Sequence, residues 1–165
     1  MSSFDRRSFL RLTAAPLLLA GCGFEPAFGP NGAARTLLGQ VLVDEPTTSD
    51  GFVLTRQLEH RLGRAANPRY GLSVAITTEK EGVALTADNR TTRIDILGQA
   101  TWALRALDSK EVLLSGKVDN FTGYSTTGAT VSELAAERDA RRRLMIILAD
   151  QITLALTAQA SELPA

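Results

Sequence analysis

RIDILGQATWALRA, residues 93–106, is the stretch on which the architecture turns. Ile94, Ile96, Gly98, Ala100, Trp102, Leu104 and Ala106 share one parity, and Arg93, Asp95, Leu97, Gln99, Thr101, Ala103 and Arg105 the other. Successive side chains of a strand point to opposite faces, so this is a half-buried strand. A slip of one residue would turn the apolar set into water, which fixes the register. Beyond the turn signal Asp108-Ser109-Lys110, the residues Val112, Leu114, Gly116 and Val118 continue an even-numbered apolar face. A two-residue loop would pair Leu104 with Ser115 and mix the faces. A three-residue loop pairs Leu107 with Glu111, Leu104 with Leu114 and Trp102 with Gly116, and lays the indole over a glycine. The expectation is therefore the three-residue loop.

Upstream, Leu72, Val74 and Ile76 alternate with Ser73 and Thr77 as another strand. Glu79 to Arg90 reads as a connection, with Gly82 a candidate bulge and Asp88-Asn89 a turn signal. Leu54, Leu58 and Leu62 recur every four residues, which predicts a helix from Gly51 to Gly63, capped by Ser49 or Asp50. Gly63 is placed to end it. Thr36 to Asp44 (TLLGQVLVD) is a nearly continuous apolar run, expected as a strand buried on both faces or flanked on both sides.

Downstream, Phe121 to Ala129 (FTGYSTTGA) reads as a polar loop. From there to about Gln159 neither Gly nor Pro interrupts a long helix, begun by Thr130 or Ser132, with Thr130 and Glu133 matching a capping box. Its apolar stripe is Leu144, Ile147, Leu148, Ile152 and Ala155. Glu137 and Arg141 project into that stripe, so the first two turns are expected to overhang the sheet. The order β-α-β-β-β-α predicts an α+β, two-layer sandwich, a four-stranded sheet with two helices on one face. The other face is polar: Arg93, Asp95, Gln99, Thr101, Arg105, Ser115, Lys117 and Asp119.

The chain holds 18 Lys and Arg, 18 Asp and Glu, one His and one Cys. A metal site or a nucleophilic triad needs a cluster of His or Cys, so no catalytic residue, metal or cofactor is expected. Glycines form no phosphate-binding loop. His60 reads as a lone surface histidine, and Glu79, Lys80 and Glu81 as a solvated charge cluster. Without a basic excess, nucleic acid is not an expected partner. Arg90 and Arg93, with Lys117 and Arg105, are candidates to present cations to a phosphorylated ligand. The alternative is a balanced polar face in which Asp95 and Asp119 offset them.

At the N-terminus, Arg6, Arg7 and Arg11 precede an uncharged stretch, Leu12 to Gly21, too short to span a bilayer. A basic region, a short apolar region and a small-residue cleavage point form an export signal. Leu19-Ala20-Gly21-Cys22 resembles the lipobox of bacterial lipoproteins, whose cysteine is acylated and becomes the first residue of the mature chain. Asp5 to Arg11 resembles the twin-arginine export motif, around Arg6 and Arg7, with Asp5 and Arg11 departing from its usual ends; a basic region for general secretion is the alternative. Residues 1–21 are then a cleaved lipoprotein signal peptide, 22–35 a lipidated tether rich in Gly, Pro and Ala, and 36–165 a single domain. No other stretch approaches eighteen apolar residues, which leaves the covalent lipid on Cys22 as the expected attachment to the membrane.

The mature chain resembles the LPS-assembly lipoprotein family (LptE-like). The resemblance rests on Cys22-Gly23-Phe24-Glu25-Pro26-Ala27-Phe28-Gly29, on Arg93, Gly116 and Tyr124, and on Ala136-Glu137-Arg138-Asp139-Ala140 leading to Leu148-Ala149-Asp150-Gln151-Ile152. It implies a non-enzymatic lipoprotein anchored in the outer membrane and facing the periplasm. Such proteins sit in the lumen of the β-barrel LptD and help insert lipopolysaccharide into the outer leaflet. A polar sheet face and a short lipidated leash suit a polar barrel lumen. No lipopolysaccharide-contact residue carries over, so Arg90, Arg93 and Lys117 stand as a physical expectation only. The alternatives are a free-standing envelope lipoprotein binding a small or lipid ligand, and a lipid-anchored hydrolase, which lacks a nucleophile–base pair.

Overall fold

A computed structural model describes residues 29, 32–85, 91–126 and 129–164. Its elements are β1 (Val41–Val43), α1 (Ser49–Leu62), β2 (Tyr70–Leu85), β3 (Thr91–Ala106), β4 (Val112–Ser125) and α2 (Thr130–Gln159). Short 3-10 helices precede and follow them at Ala33–Leu37 and Ala160–Glu162. The strands form one four-stranded sheet in the order β1-β2-β3-β4. β1 runs parallel to β2 through the α1 crossover, and the remaining pairs are antiparallel. Leu54 and Leu58 of α1, and Leu144, Leu148 and Ile152 of α2, are buried in one core with Leu72, Ile96, Trp102 and Leu104 of the sheet. This is the α+β architecture expected from the alternation.

The β3–β4 register matches the parity argument: Leu104 pairs with Leu114 and Trp102 with Gly116. A Cβ at position 116 would fall 2.7 Å from Trp102 Cζ2, so the indole does lie over the glycine. The turn itself differs. Ala106, not Leu107, pairs with Glu111 to close the hairpin, its amide donating to the Glu111 carbonyl, and Lys110 adopts a φ of 65°. The loop from Leu107 to Lys110 is thus even in length, which alone would mix the faces. A register shift between the Leu104 and Arg105 pairs leaves Leu113 as an extra residue and restores the parity.

Both strands of the β2–β3 ribbon are longer than the sequence suggests. β2 runs on through Glu79, Lys80 and Glu81, and the shift between Gly82 and Ala84 confirms the bulge near Gly82. Asp88-Asn89 lies outside the described residues. β4 likewise continues through Phe121 to Ser125, where a loop was expected, because Thr122 and Tyr124 keep facing the core. Thr122 tolerates burial by donating its hydroxyl to the Ala140 carbonyl at 2.9 Å.

The run from Thr36 does not form one strand. Ala34 and Leu37 are buried within the first 3-10 helix, and Gly39 turns the chain with a φ of 69°. Only Val41–Val43 pairs, as an edge strand with one neighbour among the described residues and with Leu42 exposed, so there it is neither doubly flanked nor doubly buried. The cap of α1 is Thr48, whose Oγ1 accepts from the Gly51 amide at 3.0 Å, in place of Ser49 or Asp50. Gly63 ends α1 with a φ of 79°, as its position predicted.

α2 starts without a capping box: Thr130 is already helical, and Ser132 Oγ donates to the Ala129 carbonyl. Its buried stripe is Ala140, Leu144, Met145, Leu148, Ala149, Ile152 and Leu156. Ile147 and Ala155 are only partly buried, since the helix packs against α1 as well as the sheet and turns a different edge inward. By length and composition α2 is apolar enough to cross a membrane, contrary to the reading of the sequence; here its stripe is spent on the core. Gly98 lets it sit close, since a Cβ there would lie 2.8 Å from Leu144 Cδ2.

Candidate functional site

The first two turns of α2 stay largely exposed, Val131 at 82% and Leu134 at 48%, in keeping with the expected overhang; a polar network docks the turns that follow. Lys80 Nζ lies 2.6 Å from Glu137 Oε1, and Arg141 Nε lies 3.1 Å from the same oxygen. Arg141 Nη1 also reaches Asp50 at 3.0 Å and the Thr78 hydroxyl at 3.3 Å, while the Tyr124 hydroxyl donates to Glu137 Oε2. The bond from Lys80 holds the Glu137 carboxyl below the usual range against the opposing effect of burial. Burial first, and Glu137 second, push the Tyr124 hydroxyl upward. At the other end of α2, Asp150 accepts from Gln57 at 2.9 Å and from Arg61 at 2.8 and 2.9 Å. α2 is therefore tied to one face of the sheet and α1 to α2, and among the described residues nothing covers the opposite face.

That open face is the candidate site. Its rows follow from the register: Thr77-Gln99-Asp119, Ala75-Thr101-Lys117 and Glu79-Leu97-Phe121. A shallow depression of about 470 Å³ runs across Thr77, Glu79, Gln99, Lys117, Asp119 and Phe121. Its walls combine both charge signs with an apolar step, for Leu97 is 40% and Phe121 58% exposed. Such a surface can bury a mixed polar and apolar partner; no three His, Cys, Asp or Glu side chains come together as metal ligands among the described residues.

The cations expected to act together are spread along this face. Arg93 Nε pairs with Asp95 Oδ1 at 3.1 Å. Lys117 stands opposite Thr101, eight residues further along β3, so about 27 Å separates it from Arg93 at 3.4 Å per residue. Arg105 crosses over Gly71 to grip Asp44 at 2.6 and 3.0 Å, and is taken up in tying β1 to the sheet. Arg90 lies outside the described residues, as do Arg6, Arg7, Leu19, Ala20, Gly21 and Cys22. His60 is exposed on α1, as expected, and Glu79 and Glu81 are exposed on a strand, not in a turn.

The family model for lipopolysaccharide assembly, LptE, matches residues 38–156, from just before β1 to the last turn of α2. The chain belongs to the LptE family. No curated protein sequence matches it. Among solved structures, a lipoprotein from Caulobacter crescentus CB15 superposes with a TM-score of 0.65 at 17% identity, covering 78% of this chain and 96% of that one. The minor lipoprotein of Acinetobacter baumannii gives 0.59 at 21% identity, over 73% of this chain and 92% of that one. The rare lipoprotein B of Shewanella oneidensis gives 0.56 at 13%, over 74% and 95%. At these identities they establish the fold of this LptE-family protein as a shared one. Its exposed Leu97–Phe121 step was missed in the sequence, although Leu97 is the one large apolar residue of odd parity in residues 93–106.

Proposed function

We propose that this LptE-family protein is a non-catalytic lipoprotein anchored through lipid on Cys22 in the outer membrane. There it assembles with the β-barrel LptD, fills its lumen, and aids insertion of lipopolysaccharide into the outer leaflet. The family match over residues 38–156 carries this reading, because it takes in every strand and nearly all of both helices. The open polar face supports it: a domain held in a water-lined lumen needs polar surface opposite its helices.

The test is to tag the C-terminus, extract native membranes in mild detergent and identify what co-purifies. A stoichiometric large β-barrel from the outer-membrane fraction is the expected result. A protein that emerges alone overturns the partnership and leaves a free-standing ligand-binding lipoprotein. Lipopolysaccharide contact is assigned to Arg90 and Arg93, with Lys117 as a separate, distant cation. Arg90→Ala with Arg93→Ala weakens lipopolysaccharide binding without unfolding the domain; unchanged binding removes the arginines from that role.

A further inference from the structure

β4 is the long outer edge of the sheet, with β3 on one side and, among the described residues, no strand on the other. Two contacts identify which of its backbone groups face outward. The Phe121 amide is capped by Asn120 Oδ1 at 2.9 Å, and the Gly123 carbonyl accepts from Arg143 Nη2 at 3.4 Å. Odd-numbered residues of β4 therefore direct their amides and carbonyls away from β3. Beyond Phe121 the edge is blunted by these side chains, and near the turn by the bulge at Leu113. Ser115, Lys117 and Asp119 form the open stretch between. All three side chains are exposed. Lys117 and Asp119 are opposite charges two residues apart on one face, and neither has an ion pair among the described residues.

We infer that this edge pairs with the same edge of a second copy, antiparallel about a twofold axis at Val118. In that register the outward-facing odd residues meet one another: Lys117 lies opposite Asp119 of the second copy, and Asp119 opposite its Lys117. Both are hydrogen-bonded pairs, in which each residue exchanges both backbone bonds with its partner. The two sheets become one, and the charges that would repel a shifted register attract in this one. An edge lysine ordinarily guards against strand addition. Here its neighbour of opposite sign, placed two residues on, makes the guarded edge complementary to itself, as an isologous interface requires. Val118 meets its own copy across the axis as a closely spaced, non-hydrogen-bonded pair.

That close pair supplies the test, which does not depend on the barrel partnership. Val118→Cys in the full-length lipoprotein, purified in detergent and mildly oxidised, gives a disulfide-linked dimer on a non-reducing gel. The parent chain, with Cys22 alone, and Ser73→Cys on an inner strand do not. Adding Lys117→Asp sets two like-charge pairs face to face and lowers the cross-linked yield roughly tenfold. Adding Asp119→Lys as well restores it. Circular dichroism confirms that each variant is folded. Absence of the dimer, or a yield indifferent to the charge reversals, overturns the self-pairing and leaves the edge to a strand of another protein.

Discussion

At Gly98 the distance between the two layers is decided by one missing methyl group. A Cβ there would meet Leu144 Cδ2 at 2.8 Å, Leu144 Cγ at 3.1 Å and Leu148 Cδ1 at 3.2 Å, all on buried side chains. Gly98→Ala therefore forces leucines off their rotamers or lifts α2, at a cost of about 1–3 kcal/mol, read as a lower urea midpoint. Glu137 is the second decisive residue. Its folded-state pKa lies below the ordinary glutamate value, held there chiefly by Lys80. The stabilisation is thus fully present above about pH 4.3 and is lost as pH falls through the lowered value. Glu137→Gln is expected to be less stable than the parent at pH 7, and the gap should close in acid. A gap of constant size from pH 7 to pH 2 would show that the charge on Glu137 is immaterial.

At the scale of elements, what was legible in the sequence is what hydrophobic parity alone dictates. β3 and the first half of β4 carry apolar residues at every inward position, so their pairing follows by arithmetic. The same faces continue as Thr78 and Lys80 in β2 and as Thr122 in β4, where polar groups find partners on α2 that no local pattern reveals. Both strands were accordingly read as too short. The stripe of α2 was misplaced for a related reason: periodicity gives an apolar arc, while the presence of α1 decides which edge of it is used. Caps are equally contextual. Thr48 precedes α1 and its hydroxyl accepts from the Gly51 amide of the first turn, so Thr48→Ala should cost about 1 kcal/mol in thermal or urea unfolding. Ser132→Ala should cost little, since its hydroxyl donates back to Ala129 and satisfies no helix amide.

For the whole molecule, stability is graded across the sheet. β3 is bonded along both edges and packs its inner face on the core, whereas β1 contributes three residues at a margin. Native-state amide exchange is expected to be slowest in the centre of β3 and fastest, among the strands, in β1. Equal protection of the two would mean that the sheet opens as one unit. The candidate site lies across β2, β3 and β4, so it rests on the best protected part of the fold. Its composition was partly legible, as the polar parity of those strands. Its spacing was not, because Arg93, Arg105 and Lys117 share a face and yet stand far apart along it.

The surplus residue at Leu113 bears on how the length of this chain can vary. Removing Leu113 leaves Arg105 opposite Val112 and Leu104 opposite Leu114, so the ladder loses a kink and no pair. Removing a residue between Ser115 and Phe121 instead inverts every side chain from the gap back towards the turn. Single-residue shortening is therefore compatible with this sheet at one point of β4, and a natural or engineered deletion should be placed there, whatever the surrounding letters suggest.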